Sequence, residues 1–515
     1  VKNREREEKR EKTISNNNRR GPQTRESDSM VFQFSWLLFY FISAVSIPST
    51  VHCLIPLRPE SSHRRVHNVK NSSSSSALSS SSESEASAAE DTDTPTTTAA
   101  MNQKSKAFLP LAEKACQYLT ASTDPFHAVS NAVQKLESFG FSKWSPKSPT
   151  VAGGKYYYTV QQSTLVAFTV GQQDPAPGTT RAFKIIGGHT DSPNLRIKPR
   201  SKCATNKYNC VQLAVECYGG GLWHTWLDRD LSLSGKILVR DKESGKIQSR
   251  LVQFQDPIAR ISTLCIHLQS ADERKALAVN KETHTVPIVA SESLKPAIEE
   301  AASDQINGGA GTKKRKVESS DGNLAGESED AWHQHQEPLL LQRIAQELDI
   351  EVSQIADWDL SFYDVQAATV GGMQSDFLYS GRLDNLATVF CSLEALCDHS
   401  TDLSSDADIS MICCFDHEEV GSVSSHGAGS PVLAEAIERV SKALGQYEDH
   451  PETISKSFCL SIDQAHAVHP NFSAKHESAH GPTLNSGIVI KTNSNQRYTT
   501  NSMTGFILRE LGRKI

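Results

Sequence analysis

Apolar positions recur at helical spacing over residues 106–119 and again over 126–139, where Asp124-Pro125 supplies an N-cap and a first-turn proline and Gly140 a stop. Residues 156–170 alternate with the period of a strand, and 182–186 form a short apolar strand running into Gly187-Gly188, which sets His189 at a strand's C-terminal end. From about residue 200 the texture changes to short strands and turns: 211–217, the glycine triplet 219–221, Leu231–Arg240 and a hairpin through Glu243-Ser244-Gly245. No long helical pattern returns before Pro338–Leu348, and a polar insertion at 299–336 carries the basic run Lys313-Lys314-Arg315-Lys316. Alternation of helix and strand then resumes. Leu386, Val389, Phe390, Leu393 and Leu396 keep helical spacing behind Asp384; 409–415, 458–462 and 488–491 read as strands; helices are expected from Ser430-Pro431 to about Leu444 and over 499–513.

This pattern predicts an α/β fold: a domain with a central sheet, in two parts at 101–199 and 356–515, interrupted by a mainly β domain at 200–355 that contains the loop 299–336. The serine tract and the acidic, Thr-rich stretch over 72–98 cannot bury a core, and residues 1–100 together read as a disordered or targeting extension. Their apolar run at 31–48, scattered arginines and serine tract at 72–82 fit a transit peptide, a secretory signal or anchor, or an extension ahead of a working start at Met101; the expected compartment is the cytoplasm or a plastid. A net charge of −7 over 515 residues gives no global basic field, so nucleic acid is not an expected partner, and the basic run 313–316 reads as a solvated loop cluster. Eleven scattered cysteines without a C-x-x-C pair point to reduced thiols.

Four stretches set metal-type ligands just past an apolar run: GGHTDSP at 187–193, RLDN at 382–385, DHEEVGS at 416–422 and SIDQAHAVHP at 461–470. In an open α/β sheet such strand ends gather on one edge, where ligands bind, so side chains from distant parts of the chain meet in one cleft. His189, Asp384, Glu419 and Asp463 fit a two-zinc centre, with Asp384 as bridge and Glu418 as the carboxylate that takes a proton from water. Asp191, two residues past His189, is placed to fix its imidazole. Each motif alone has a plainer reading: a capped loop for His-x-Asp, a solvated acidic turn for Glu418-Glu419, a helix N-cap for Asp384. His466, Lys491 and Tyr498 are candidate substrate contacts, with surface placement as the plain alternative.

GGHTDSPNLRIKP, GGGLWHTWLDRDLSLSG, PIARISTLCIHLQ, GRLDNLATVF, FDHEEVGSVSSHGAGS, SIDQAHAVHPNFSAKHE and IKTNSNQRYTTN occur in order, and together they resemble the aspartyl aminopeptidases, zinc metallopeptidases that remove N-terminal aspartate or glutamate. The resemblance runs from about Met101 to the end of the chain. It implies that His189 and Asp463 hold one zinc, Glu419 the second, with Asp384 bridging, that Glu418 is the general base, and that Asp191 orients His189. It implies substrate contacts at His466, Lys491 and Tyr498, and at His267 in the inserted domain, reaching a neighbouring subunit's site. It also implies peptides with an acidic N-terminal residue as substrates, dimerisation through the inserted domain, and a large homo-oligomer. In the family the chain continues past the segment RYTTN to a Met-His-Ser histidine that completes the second zinc site. With Ile515 as the last residue, the expectation is a C-terminally truncated chain with one complete and one incomplete zinc site. Two alternatives follow: a catalytically impaired subunit that still assembles, and another two-zinc hydrolase such as a deacylase or carboxypeptidase.

Overall fold

The computed structural model describes residues 97–203, 208–292 and 332–514, with side chains from residue 108 onward. The expectations for residues 1–96 and for the basic run 313–316 lie outside the described residues. Two α-helices open the chain, α1 (Thr97–Ala121) and α2 (Pro125–Ser138). At the start of α2, Asp124 accepts hydrogen bonds from the amides of Phe126 and His127 at 2.9 and 3.0 Å, satisfying two orphan donors ahead of a proline that has none to lose. Strands β1 (Ser142–Lys143), β2 (Lys155–Val160), β3 (Thr164–Val170) and β4 (Phe183–His189) follow. The alternating run 156–170 is therefore not one strand: Gln161 and Gln162 take positive φ and fold it into the antiparallel hairpin β2–β3. Period-two alternation survives such a turn, so the pattern alone does not reveal it.

Beyond His189 the chain enters a second sheet within five residues. Its strands are β5 (Asn194–Lys202), β6 (Cys210–Tyr218), β7 (Leu231–Arg240), β8 (Ile247–Gln253), β9 (Ile288–Ser291) and β10 (Ile355–Asp364), ordered β8-β7-β10-β5-β6-β9 and antiparallel throughout. This sheet extends past the bounds 200–355 at both ends. Helix α3 (Ala271–Lys275) is short, and α4 (Pro338–Leu348) lays Leu340, Leu341, Ile344, Ala345 and Leu348 against Val252, Phe254 and Trp358. The expected polar loop 299–336 ends early: Trp332 meets Trp358 edge-on at 4.6 Å, and buried Gln336 accepts from the Ser201 amide and hydroxyl.

The hairpin β11 (Thr369–Gly371) and β12 (Phe377–Tyr379) leads to α5 (Leu383–His399), β13 (Ile409–Phe415), α6 (Val432–Ala443), α7 (His450–Lys456), β14 (Phe458–Ser461) and α8 (Ser502–Lys514). Residues 488–491 join no strand, contrary to expectation. The first sheet runs β1-β2-β3-β13-β4-β14, with β13, β4 and β14 parallel. The apolar stripe Leu386, Val389, Phe390, Leu393 and Leu396 of α5 is buried on one face with α1 and α2, while Ala436, Ile437 and Val440 of α6 cover the other. Because α5 and α6 lie on opposite faces, the connections β4–α5–β13 and β13–α6–β14 pass on the two sides of β4, which makes the C-terminal end of β4 a topological switch point.

One ion-pair network anchors the opposite end of β4. Lys184 and Asp406 are both buried and 2.9 Å apart, and Asp406 also accepts from His399 Nε2 at 2.9 Å and the Asp408 amide at 3.0 Å. Burial pushes the Asp406 carboxyl up, but His399 and Lys184 outweigh it and hold the group well below the usual carboxylate range. Asp406→Asn leaves the buried Lys184 ammonium with only Asp408, 3.5 Å away, and is expected to cost about 3 kcal/mol at neutral pH. The folded carboxyl is the stronger acid, so this stabilisation is complete above about pH 4 and declines as the pH falls below it. Urea melts of both forms at pH 7 and pH 3 check this, and a loss equal at the two pH values would contradict it.

Candidate metal centre

Parallel register brings the candidate side chains together. His189, the last residue of β4, pairs with Phe415 at the end of β13, and Ser461, the last residue of β14, pairs with Gly187. Residues 416–419 and Asp463 therefore emerge on the same edge as His189. His189 is 3% exposed, and its Nδ1 donates to the Asp191 backbone carbonyl at 2.9 Å, which turns Nε2 toward the cleft. Around Nε2 stand Asp384 Oδ1 at 3.2 Å, Asp463 Oδ1 at 3.6 Å and Glu418 Oε2 at 3.9 Å. Two groups of donor atoms result, each within 4.8 Å: His189, Asp384 and Asp463, and His189, Glu418 and Glu419. Among the described residues, the group containing Glu419 has His189 as its only imidazole.

Asp384 does not serve as a helix cap. Arg382 holds the cap position of α5 without a side-chain cap bond, Asp384 itself has non-helical backbone, and its carboxylate is left to the cleft. Its carbonyl accepts from Ser192 Oγ at 2.7 Å, and the next side chain, Asn385, donates to the Ile462 carbonyl at 2.9 Å, tying the start of α5 to the segment that carries Asp463.

Asp191 is the organiser. It is fully buried, and its carboxylate accepts from the amides of Glu418 at 3.0 Å and Glu419 at 3.1 Å and from the Tyr218 hydroxyl at 2.7 Å, with His189 Nδ1 3.3 Å away. Burial raises its pKa, but His189, Tyr218 and the Glu419 amide together hold it below the usual value. Tyr218 ends β6, and its neighbour Gly219 has φ +80, with the position of a Cβ only 3.1 Å from Glu419 Cβ. A side chain there would be strained and would press on the glutamate. Gly219 opens the segment GGGLWHTWLDRDLSLSG, but Tyr218 just ahead of it carries no signal of its own, because its role depends on the second sheet meeting the first.

Lys491 and Tyr498 are brought to the cluster. Lys491 Nζ lies 3.2 Å from Asp463 Oδ2 and 5.8 Å from the centre of the Tyr498 ring. His466 is exposed and pairs with His476 at 3.2 Å. His267 is exposed in the turn Ile266–Leu268, and no hydrogen bond or ion pair among the described residues links it to the cluster.

The site has more negative charge than it can hold unaided. Burial opposes charge on His189, yet Asp191, Asp384 and Asp463 raise its pKa well above the usual histidine value. Burial and the Asp463 charge push Asp384 up, while burial and the Asp384 charge push Glu419 up to about 8. Despite this crowding, buried His189 Nε2 and Asp384 Oδ1, an ion pair 3.2 Å apart, make no well-formed hydrogen bond among the described residues. Buried ligand-type atoms without a well-formed hydrogen bond, facing further carboxylates, suit a divalent cation, and imidazole with carboxylate is a zinc-type set. Asp191→Asn removes the charge beside His189 and turns one of the two oxygens that accept from the Glu418 and Glu419 amides into a donor, and is expected to weaken zinc binding about 10- to 100-fold. Competition with a chromophoric chelator measures it; unchanged affinity would leave Asp191 a purely structural residue.

A family model described as "Aminopeptidase I zinc metalloprotease (M18)" matches residues 118–515. A probable aspartyl aminopeptidase of Ricinus communis is 38% identical over 405 residues, covering 77% of this chain and 80% of that protein. The aspartyl aminopeptidase of Aspergillus oryzae is 41% identical over 414 residues, covering 77% and 80%. The solved structure of Chaetomium thermophilum mApe1 superposes with a TM-score of 0.65 at 30% identity, covering 79% of this chain and 85% of that one. The chain belongs to the aminopeptidase I zinc metalloprotease family, M18, and is a metallo-aminopeptidase.

Proposed function

We propose that this aminopeptidase removes aspartate or glutamate from the N-terminus of peptides with two zinc ions per subunit. The carrying observation is the convergence of buried His189 Nε2 and Asp384 Oδ1 with Asp463, Glu418 and Glu419, beside a lysine at the rim. His189 and Asp463 would hold the first ion and Glu419 the second, with Asp384 available to both. When bound, zinc supplies Lewis acidity that lowers the pKa of water and polarises a carbonyl. Glu418, whose amide is fixed by Asp191 while its side chain stays 29% exposed, takes the proton from the attacking water and returns it to the departing amine. Lys491 pairs with the acidic side chain of the substrate, and Tyr498 lies against it. The relatives named as aspartyl aminopeptidases support this specificity.

The assembly proposed is a large homo-oligomer formed through the second sheet. One solved neighbour is described as the S. cerevisiae mApe1 dodecamer, with 25% identity and a TM-score of 0.62. In this chain Leu264, Ile266, Leu268 and Leu277 are more than half exposed around His267, an apolar surface suited to a subunit contact. That contact would carry His267 toward a neighbouring subunit's site. A second reading, an assembling subunit without turnover, is favoured by the lone imidazole in the group containing Glu419.

Release of aspartate from an Asp-initiated peptide tests the proposal. Glu418→Gln is expected to lower kcat about 100- to 10,000-fold with zinc content retained. Equal rates in the two forms would refute the role of Glu418, and no turnover in either, with about one zinc per chain, supports the second reading. Lys491→Ala is expected to raise KM about 10- to 100-fold for Asp-initiated peptides but little for Ala-initiated ones; an equal change for both would remove Lys491 from specificity.

A further inference from the structure

Three residues outside the His189 groups form another donor cluster. Asp416, just past β13, is 2% exposed, and Nε2 of His417 and of His426 point at its Oδ2 from 3.5 and 3.6 Å. The three donor atoms lie within 4.8 Å of one another, and the two rings are 4.7 Å apart. We propose that Asp416, His417 and His426 form a further divalent-cation site, of the zinc-like class, that shares no donor atom with the His189 groups.

The distances carry the argument. A direct His–Asp hydrogen bond closes to about 2.7–3.2 Å, and elsewhere in this chain such pairs do close: His127 to Asp124 at 2.6 Å and His399 to Asp406 at 2.9 Å. The two imidazoles at Asp416 both stop short. Two donors bound at about 2.0–2.1 Å to one tetrahedral ion stand about 3.3–3.4 Å apart, close to the separations seen. Both rings are also held the way ligand imidazoles are held, by a bond at the other nitrogen: His417 Nδ1 to Ser424 Oγ at 2.8 Å, His426 Nδ1 to Ser425 Oγ at 3.0 Å.

The backbones that present the donors are locked as well. The Thr164 hydroxyl donates to the His426 carbonyl at 2.7 Å and accepts from the Asp416 amide at 3.0 Å, so one side chain of β3 fixes the separation of two ligand residues. Asp416 Oδ1 is taken by the His417 amide at 2.8 Å, which leaves Oδ2 for the ion. Two imidazoles and one carboxylate leave a fourth position for water, and imidazole ligation favours zinc, nickel or copper over magnesium or calcium. His417 directly precedes Glu418, so an ion here ties the start of the glutamate turn to the loop bearing Ser424, Ser425 and His426.

Cobalt(II) is a suitable probe because tetrahedral, imidazole-ligated cobalt absorbs far more strongly in the visible than octahedral, carboxylate-bound cobalt. The full chain is stripped with chelator and dialysed against cobalt in the His189→Asn background, which removes the imidazole of both other groups. About one strongly absorbing cobalt per chain is expected, lost on adding His426→Gln and weakened about 10- to 100-fold by Ser424→Ala. Should the His189→Asn form not fold, wild type and His426→Gln are compared directly, and the bound-metal count is expected to fall by about one. Weak octahedral spectra alone, or strong absorption unchanged by His426→Gln, would overturn the site.

Discussion

A single buried carboxylate holds the two sheets and the glutamate turn in one arrangement. Taking Asp191 out of water costs several kcal/mol. Hydrogen bonds from the Glu418 and Glu419 amides and the Tyr218 hydroxyl, at about 1.5–3 kcal/mol each, offset that cost only if all three stay in place. The amides come from the turn after β13 and the hydroxyl from the end of β6, so the charge is tolerable only when both sheets are correctly seated. Beside it, His189 Nδ1 is committed to the Asp191 carbonyl, and only Nε2 faces the cleft. Fold and ligand geometry are thus enforced by the same few bonds.

Much of this was legible in the residues. Elements whose hydrophobic period is unbroken and whose ends carry punctuation were read closely: Leu231–Arg240, Pro338–Leu348 and Ile409–Phe415 match the structure residue for residue, and the Asp124 cap forms as its sequence suggests. The gathering of His189, Glu418, Glu419 and Asp463 was legible for a topological reason, whereas Asp384 reaches them from the start of α5. Parallel strands in register expose their following residues on one edge, so a ligand type just past an apolar run already implies a location.

What was not legible depends on tertiary context. A strand and a tight hairpin of the same alternation look identical until Gln161 and Gln162 turn back. Residues 488–491 have a strand's composition but join no ladder in the described chain, while Lys491 at their end still reaches Asp463. Spacing left His466 open between a substrate contact and a loop histidine, and in the structure its ring meets half-buried His476, a contact that no periodicity encodes. Tyr218 was invisible because it is one apolar residue at the end of an apolar strand, and only its neighbour across the ladder, Asn194, shows that it abuts the cleft.

The passage from one sheet to the other has a further consequence. Only four residues, Thr190 to Pro193, separate the end of β4 from the start of β5, and within them lies the carboxylate that every neighbour leans on. Lengthening that bridge by even one position would slide Asp191 away from its three donors, so the geometry leaves no freedom of length there. The outer strands β8 and β9 lie at the far margins of their sheet, and growth or loss of sequence can accumulate beside them without reaching the cleft. The outline of the second sheet can therefore vary in length where the short span beside His189 cannot.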